Sequence, residues 1–211
     1  MAVARDAAFA FIYPANLQTL EQLGARLAFF SPLDGEGLPA CDAVWLPGGY
    51  PELHAERLVA NARLRADLHA HVGAGKPLWA ECGGMMALAE SITLQDGRVQ
   101  PLWGLLPGRV TVQKRLAGLG PQQLDLPQGQ LRGHTFHYSS FDCAAAVATR
   151  TARPGARVLF RTADVPTLLP GKLDEGLLKQ WRYEEALSRA LTRRDRSAIY
   201  GGAHVYALKR A

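Results

Sequence analysis

The residues with the clearest chemistry lie in Leu78-Trp79-Ala80-Glu81-Cys82-Gly83-Gly84-Met85-Met86-Ala87-Leu88. A short apolar run ends at Cys82, two glycines follow at once, and an apolar helical pattern begins. This reads as a strand-turn-helix elbow, with the nucleophile on a tight turn and neighbours that have no Cβ to crowd it. A thiol at a helix N-terminus also feels the positive end of the dipole, which is expected to favour the thiolate, the reactive form. Cys41 and Cys143 lack such a context and are read as structural. Upstream, Gly48 and Gly49 follow the apolar run Ala43-Val44-Trp45-Leu46. The pair fits a tight turn out of a strand, and it fits a loop whose N–H groups point at a developing oxyanion. Beside a nucleophile elbow the second reading is preferred.

Downstream, Leu131 to Ser140 alternates like a strand, with His137 and Tyr138 at its end. His134 and His137, three apart and beside Ser139, are expected to line a site. Their spacing also suits a metal, but without a Cys or carboxylate partner close beside them no metal site is expected. Gly73-Ala74-Gly75-Lys76-Pro77 imitates the end of a phosphate-binding loop. That loop needs a glycine where Ala70 stands and a Ser or Thr where Pro77 stands, so no nucleotide site is read here.

These residues need elements to position them. Met1 to Asp6 reads as a buried strand. Asn16 is placed as the N-cap of a helix from Leu17 to Gly24, with Leu17, Leu20 and Leu23 on one face and Gly24 as its stop. Strands follow at 26–30, 43–46 and 77–80, and a helix is expected over 53–73. From Gly97 to about Gly129 the text is rich in Gly, Pro and Leu and reads as short strands and loops. Short apolar strands alternating with amphipathic helices mean an open, mostly parallel α/β sheet, whose site lies at the carboxyl ends of the strands. Gly48, Gly49 and Cys82 all follow strand ends and are expected to open on the same edge.

A chain of 211 residues suits one domain. Residues 1–150 are read as its core. Residues 151–211 are read as a divergent C-terminal segment, with an amphipathic helix over 173–194 carried by Leu173, Leu177, Trp181, Leu187 and Leu191. The formal charge of +5 lies mostly in arginines scattered through the C-terminal half without interleaved aromatics, which reads as a solvated face rather than a site for an anionic ligand, and no nucleic-acid partner is expected. Three cysteines without a framework spacing suit a reducing cytoplasm. No signal peptide is read at the start, and no apolar run reaches the ~18 residues of a membrane span.

Three blocks carry a resemblance: Leu46-Pro47-Gly48-Gly49-Tyr50-Pro51-Glu52, Ala80-Glu81-Cys82-Gly83-Gly84-Met85-Met86, and Gly133-His134-Thr135-Phe136-His137-Tyr138-Ser139. They resemble the glutaminase domain of cobyrinic acid a,c-diamide synthases, a branch of the class I glutamine amidotransferases. The opening Val3 to Pro14 and the stretch Leu17 to Pro32 resemble it too, so the likeness runs from residue 2 to about 142. It implies a flavodoxin-like fold, a three-layer open and mostly parallel sheet. It also implies that Cys82 attacks the side-chain amide of glutamine, giving a glutamyl thioester and ammonia. Oxyanion and substrate binding would fall to Gly48, Gly49, Tyr50, Gly83, Gly84, His134, Tyr138 and Ser139. The resemblance further implies an ATP- and magnesium-dependent synthetase domain as partner, which amidates the a- and c-carboxylates of cobyrinate or hydrogenobyrinate. This chain is expected to lack that domain and to need no cofactor of its own.

The general-base histidine of the family stands in a C-terminal Ala-Ser-Tyr-x-His motif. Ala207-Leu208-Lys209-Arg210-Ala211 occupies its place here, and the segment from about Arg157 to Arg196 looks inserted. His204 is then the nearest replacement base and His137 the second candidate. A glutamine-binding scaffold without turnover, or a related cysteine hydrolase, remain the alternative readings.

Overall fold

The structure, a computed structural model, describes residues 1–126, 129–145, 147–150 and 204–206. The helix expected over 173–194, and the segment 151–211 apart from His204–Tyr206, lie outside the described residues. Among the described residues the chain forms two compact units. One contains residues 1–114 and 139–145, the other 115–138, 147–150 and 204–206.

The first unit is built on a parallel sheet. β1 (Ala2–Ala4) lies between β2 (Ala28–Phe30) and β3 (Val44–Leu46), and β3 pairs on its far side with β4 (Leu78–Ala80). All pairs are parallel and the order is β2-β1-β3-β4, the open parallel sheet expected from the strand and helix alternation, in the flavodoxin-like form that the resemblance implies. The two central strands are buried along their whole length, which is why Ala-Val-Ala and Val-Trp-Leu carry no polar residue. Parallel strands put their carboxyl ends on one edge. The segments that leave β1, β3 and β4 there are Asp6 to Ile12, Pro47 to Tyr50 and Glu81 to Cys82.

The helices depart from expectation in two places. α1 spans Pro14–Gln22, so Asn16 lies inside its first turn and does not cap it; Tyr13 holds the cap position. Pro14 opens the helix because its fixed φ is already helical and its missing N–H would have had no partner there. Leu17 and Leu20 are half-buried and Leu23 is exposed, so the apolar face is only partly covered. Gly24, at φ +91°, does end the helix, donating its N–H to Glu21.

The helix expected over 53–73 is three pieces: a 3-10 turn over Pro51–Leu53, α2 (Ala55–Ala60) and α3 (Ala62–Gly73). Asn61 makes the break. Its Oδ1 accepts from the Leu64 N–H at 3.0 Å, capping α3, while its Nδ2 donates to the carbonyls of Pro32 (3.0 Å) and Glu36 (2.8 Å). The phosphate-loop imitation is the far end of α3, where the Ala74 N–H reaches Ala70 and Gly75 turns out of the helix at φ +74°.

After β4 comes the five-residue α4 (Gly83–Ala87). Strands then follow: β5 (Ser91–Thr93), β6 (Val99–Pro101), β7 (Gly108–Val112), β8 (Gly118–Leu126), β9 (Gly129–His137), β10 (Ser139–Cys143), β11 (Val147–Arg150) and β12 (His204–Tyr206). In the first unit, β10-β7-β5-β6 make a second, mixed sheet. Ile92, Val110 and Leu102 of this region bury against Ala55 of α2 and Met86 of α4.

Trp103 fastens the helices together. It is fully buried and stacks on Phe9 at 5.9 Å. Its indole N–H donates to Leu58 at 3.0 Å, and its carbonyl receives Arg65 Nε (3.0 Å) and His69 Nε2 (3.2 Å) from α3.

In the second unit β8 and β9 form an antiparallel hairpin with Gly118 opposite His137, and β11 pairs antiparallel with β12, Arg150 opposite His204. Among the described residues no helix is long and apolar enough to cross a membrane.

Candidate active site

Cys82 has φ +50° and ψ −118°, and among the described residues it is the one non-glycine with positive φ. Such a backbone costs on the order of 1–3 kcal/mol and persists only where the surroundings impose it. They do so here. The Glu81 N–H donates to Leu46 (3.2 Å), the Gly84 N–H to Glu81 (2.9 Å) and the Met86 N–H to Cys82 (3.1 Å), so the strand passes into α4 with no spare residue. A Cβ on Gly84 would strike the carbonyl oxygens of Leu46 and Pro47, so the elbow lies directly against the exit of β3.

That exit is pinned from the other side. A Cβ on Gly49 would strike the Ala8 carbonyl, and the Phe11 N–H donates to Gly48 at 3.0 Å. Tyr50 meets Phe11 edge to face at 5.1 Å. A Cβ placed on Gly48 would lie 3.3 Å from the Cys82 Cβ, and one on Gly83 would lie 2.5 Å from the Gly49 carbonyl and 2.7 Å from Pro51 Cδ. Three loops from the same sheet edge therefore close on one point. The glycines let them touch.

The electrostatics at that point differ from the sequence expectation. Cys82 reaches the surface, yet the protein packed around its sulfur strips water from it, and this desolvation pushes the thiol above its ordinary value. The backbone N–H groups of Gly83 and Gly49 act on the sulfur in the opposite sense, favouring the thiolate. The carboxylates of Glu52 and Glu81 add to the upward push. The thiolate expected from the helix terminus meets an opposing environment: α4 has only five residues, and burial with two nearby carboxylates outweighs the two N–H groups.

The other expected site residues divide between the units. Ser139, on β10 of the first unit, donates its hydroxyl to the Met86 sulfur at 3.5 Å, which puts it against α4. His134, His137 and Tyr138 belong to the second unit. His134 is exposed on β9, the His137 ring lies over Gly118, and Tyr138 meets Phe136 edge to face at 5.7 Å. His204 lies on β12 of that unit.

Two features were not singled out from the sequence. Trp45 Nε1 donates to Glu81 Oε1 at 3.0 Å, fixing the carboxylate that precedes Cys82. Glu52, in the 3-10 turn after Tyr50, has a buried Oε2 with no hydrogen-bond partner, and burial pushes its carboxyl above the ordinary range. Its signal was its place, three residues after Gly49 in a block already notable for chemistry.

Comparison with known proteins gives this geometry a context. A family model described as the CobB/CobQ-like glutamine amidotransferase domain matches residues 1–184. The chain belongs to that family. Among similar proteins, a hydrogenobyrinate a,c-diamide synthase of Pseudomonas aeruginosa is 55% identical over 155 residues, covering 74% of this chain and 36% of that protein. Another from Stutzerimonas stutzeri is 48% identical over 162 residues, covering 77% and 37%. A cobyrinate a,c-diamide synthase of Herminiimonas arsenicoxydans is 48% identical over 154 residues, covering 72% and 35%. The chain thus spans about a third of the length of these curated relatives. As a CobB/CobQ-like domain it has its elbow, Gly48-Gly49 loop and parallel sheet all within the matched residues.

Proposed function

We propose that this domain releases ammonia from glutamine for the ATP-dependent amidation of the a- and c-carboxylates of cobyrinate or hydrogenobyrinate. The observation that carries the reading is the strained Cys82, with the N–H groups of Gly49 and Gly83 directed at its sulfur, in a CobB/CobQ-like amidotransferase domain.

The chemistry follows from that arrangement. The Cys82 sulfur adds to the amide carbon of glutamine, and the carbonyl oxygen becomes an oxyanion beside the two N–H groups. The carbon–nitrogen bond then breaks, the nitrogen leaves as ammonia after taking a proton, and a glutamyl thioester remains. Water cleaves the thioester and restores the thiol. A base must take the thiol proton, because burial pushes the Cys82 thiol above its ordinary value. His204 and His137 are the candidates, and loss of a general base costs about 10²–10⁴-fold.

Amidation itself belongs to an ATP- and magnesium-dependent synthetase, either fused in one polypeptide or a separate chain, working in the cytoplasm without nucleic acid or membrane. The reading is tested by measuring ammonia from L-glutamine with the 211-residue chain, alone and with a synthetase from a relative. Ammonia that disappears in Cys82→Ala is expected; unchanged release in that variant contradicts it. Ala207-Leu208-Lys209-Arg210-Ala211, standing where the family's Ala-Ser-Tyr-x-His motif would stand, favours a second reading, a glutamine-binding subunit without turnover. That reading predicts a glutamine-dependent rise in Tm with no ammonia under either condition.

A further inference from the structure

Glu52 takes no part in the chemistry just described, yet it is the described residue with a buried, unpartnered side-chain oxygen. A carboxylate oxygen removed from water without a donor is costly, and such a group calls for an explanation. Its own backbone N–H serves the carboxylate, and nothing serves Oε2.

Its position relates it to the nucleophile. The turn Pro51–Leu53 packs on α4, with Pro51 against Gly83, the residue after Cys82. Glu52 is close enough for its charge to act on the Cys82 sulfur. Glu52 also lines an open groove of about 690 Å³ together with His54, Arg57, Gln95 and Arg98.

We propose that Glu52 receives the α-ammonium group of glutamine, so that the site selects an amino acid over a bare amide. This rests on the reading that glutamine is the substrate. Three carbons separate the amide carbon of glutamine from its α-nitrogen, a short enough link for one molecule to serve both the sulfur and the neighbouring carboxylate. An ammonium supplies the N–H donor that Oε2 lacks and a charge that offsets the carboxylate. It also neutralises one of the two negative charges facing Cys82, so the thiol loses its proton more readily with substrate bound than without.

The test uses the 211-residue chain carrying Cys82→Ala, in which binding is measured without turnover, and two ligands: L-glutamine and glutaramate, the same amide without the amino group. Calorimetry on this variant is expected to show glutamine bound roughly 10- to 100-fold more tightly, the usual worth of a hydrogen bond to a charged group. Adding Glu52→Gln is expected to abolish the preference by weakening glutamine alone. Glu52→Asp, which keeps the charge, retains part of it and serves as the second variant should the glutamine substitution not fold. A preference unchanged in either Glu52 variant overturns the proposal, because a merely structural role weakens both ligands together. A Glu52-dependent preference in a protein that releases no ammonia upholds this proposal and removes the turnover reading. Binding of neither ligand overturns both.

Discussion

Cys82 is held in a backbone conformation that side chains rarely adopt, and its sulfur is partly stripped of water between two N–H donors and two carboxylates. Its candidacy as the nucleophile is legible from sequence, since a lone cysteine between an apolar run and two glycines leaves few other structures. The direction of its shift is not legible. Desolvation depends on which loops pack over the sulfur, and Glu52 comes from a segment thirty residues away in the chain. Alkylation of Cys82 by iodoacetamide is therefore expected to rise with pH through a midpoint above the ordinary thiol value of about 8.5. Glu81→Gln, removing a negative charge, should bring the midpoint down; a midpoint below 8.5 in the parent protein contradicts this electrostatic account.

Glu52 has a consequence for stability at the same scale. Its carboxyl is raised by burial, so the folded state prefers the protonated form. The sign follows: stability is fully present below the unfolded carboxylate value of about 4.3 and is lost as pH rises through the raised folded value. Glu52→Gln mimics the neutral acid, so its Tm relative to the parent should climb as pH rises from the unfolded carboxylate value of about 4.3 through the raised folded one. A flat difference across that range contradicts the burial of this carboxyl.

Among the elements, the parallel sheet and the elbow were readable because their signals are local: uniformly apolar strands, and glycines at the strand ends. Asn61 shows where such reading stops. An apolar pattern runs from Leu53 to Gly73 and suggests one helix, but Asn61 ends α2, caps α3 and reaches back to the loop after β2. Whether an asparagine caps or merely sits on a helix depends on acceptors brought near by the fold. Asn61→Ala removes the cap and leaves two carbonyls without their donor. It is expected to destabilise the protein by about 2–4 kcal/mol in denaturant unfolding. At the elbow, Gly84→Ala drives a methyl into the Leu46 and Pro47 carbonyls. It should lower glutamine-dependent chemistry at Cys82 by far more than its effect on Tm suggests, because the elbow must move to relieve the clash.

At the scale of the molecule, the described residues fall into two units, with Cys82, Gly49, Gly83 and Glu52 on the first and His134, His137 and His204 on the second. The sequence blocks placed His134 and His137 in one functional group with the elbow. The strand of these two, β9, was legible from its alternation, but a division into units depends on long-range contacts that a linear pattern does not carry. If a histidine serves as base, His204→Ala and His137→Ala separate the candidates. Loss of about 10²–10⁴-fold in ammonia release, with Tm unchanged, is expected in one and not the other. An equal and small effect in both removes the two of them from that role.

The most direct test of the central claim, that Cys82 is the nucleophile of a glutamine site, is trapping with 6-diazo-5-oxo-L-norleucine followed by intact mass and peptide mapping. A single adduct on Cys82, prevented by L-glutamine, is the expected result. A folded chain that gains no adduct, or gains one on Cys41 or Cys143 instead, contradicts the account.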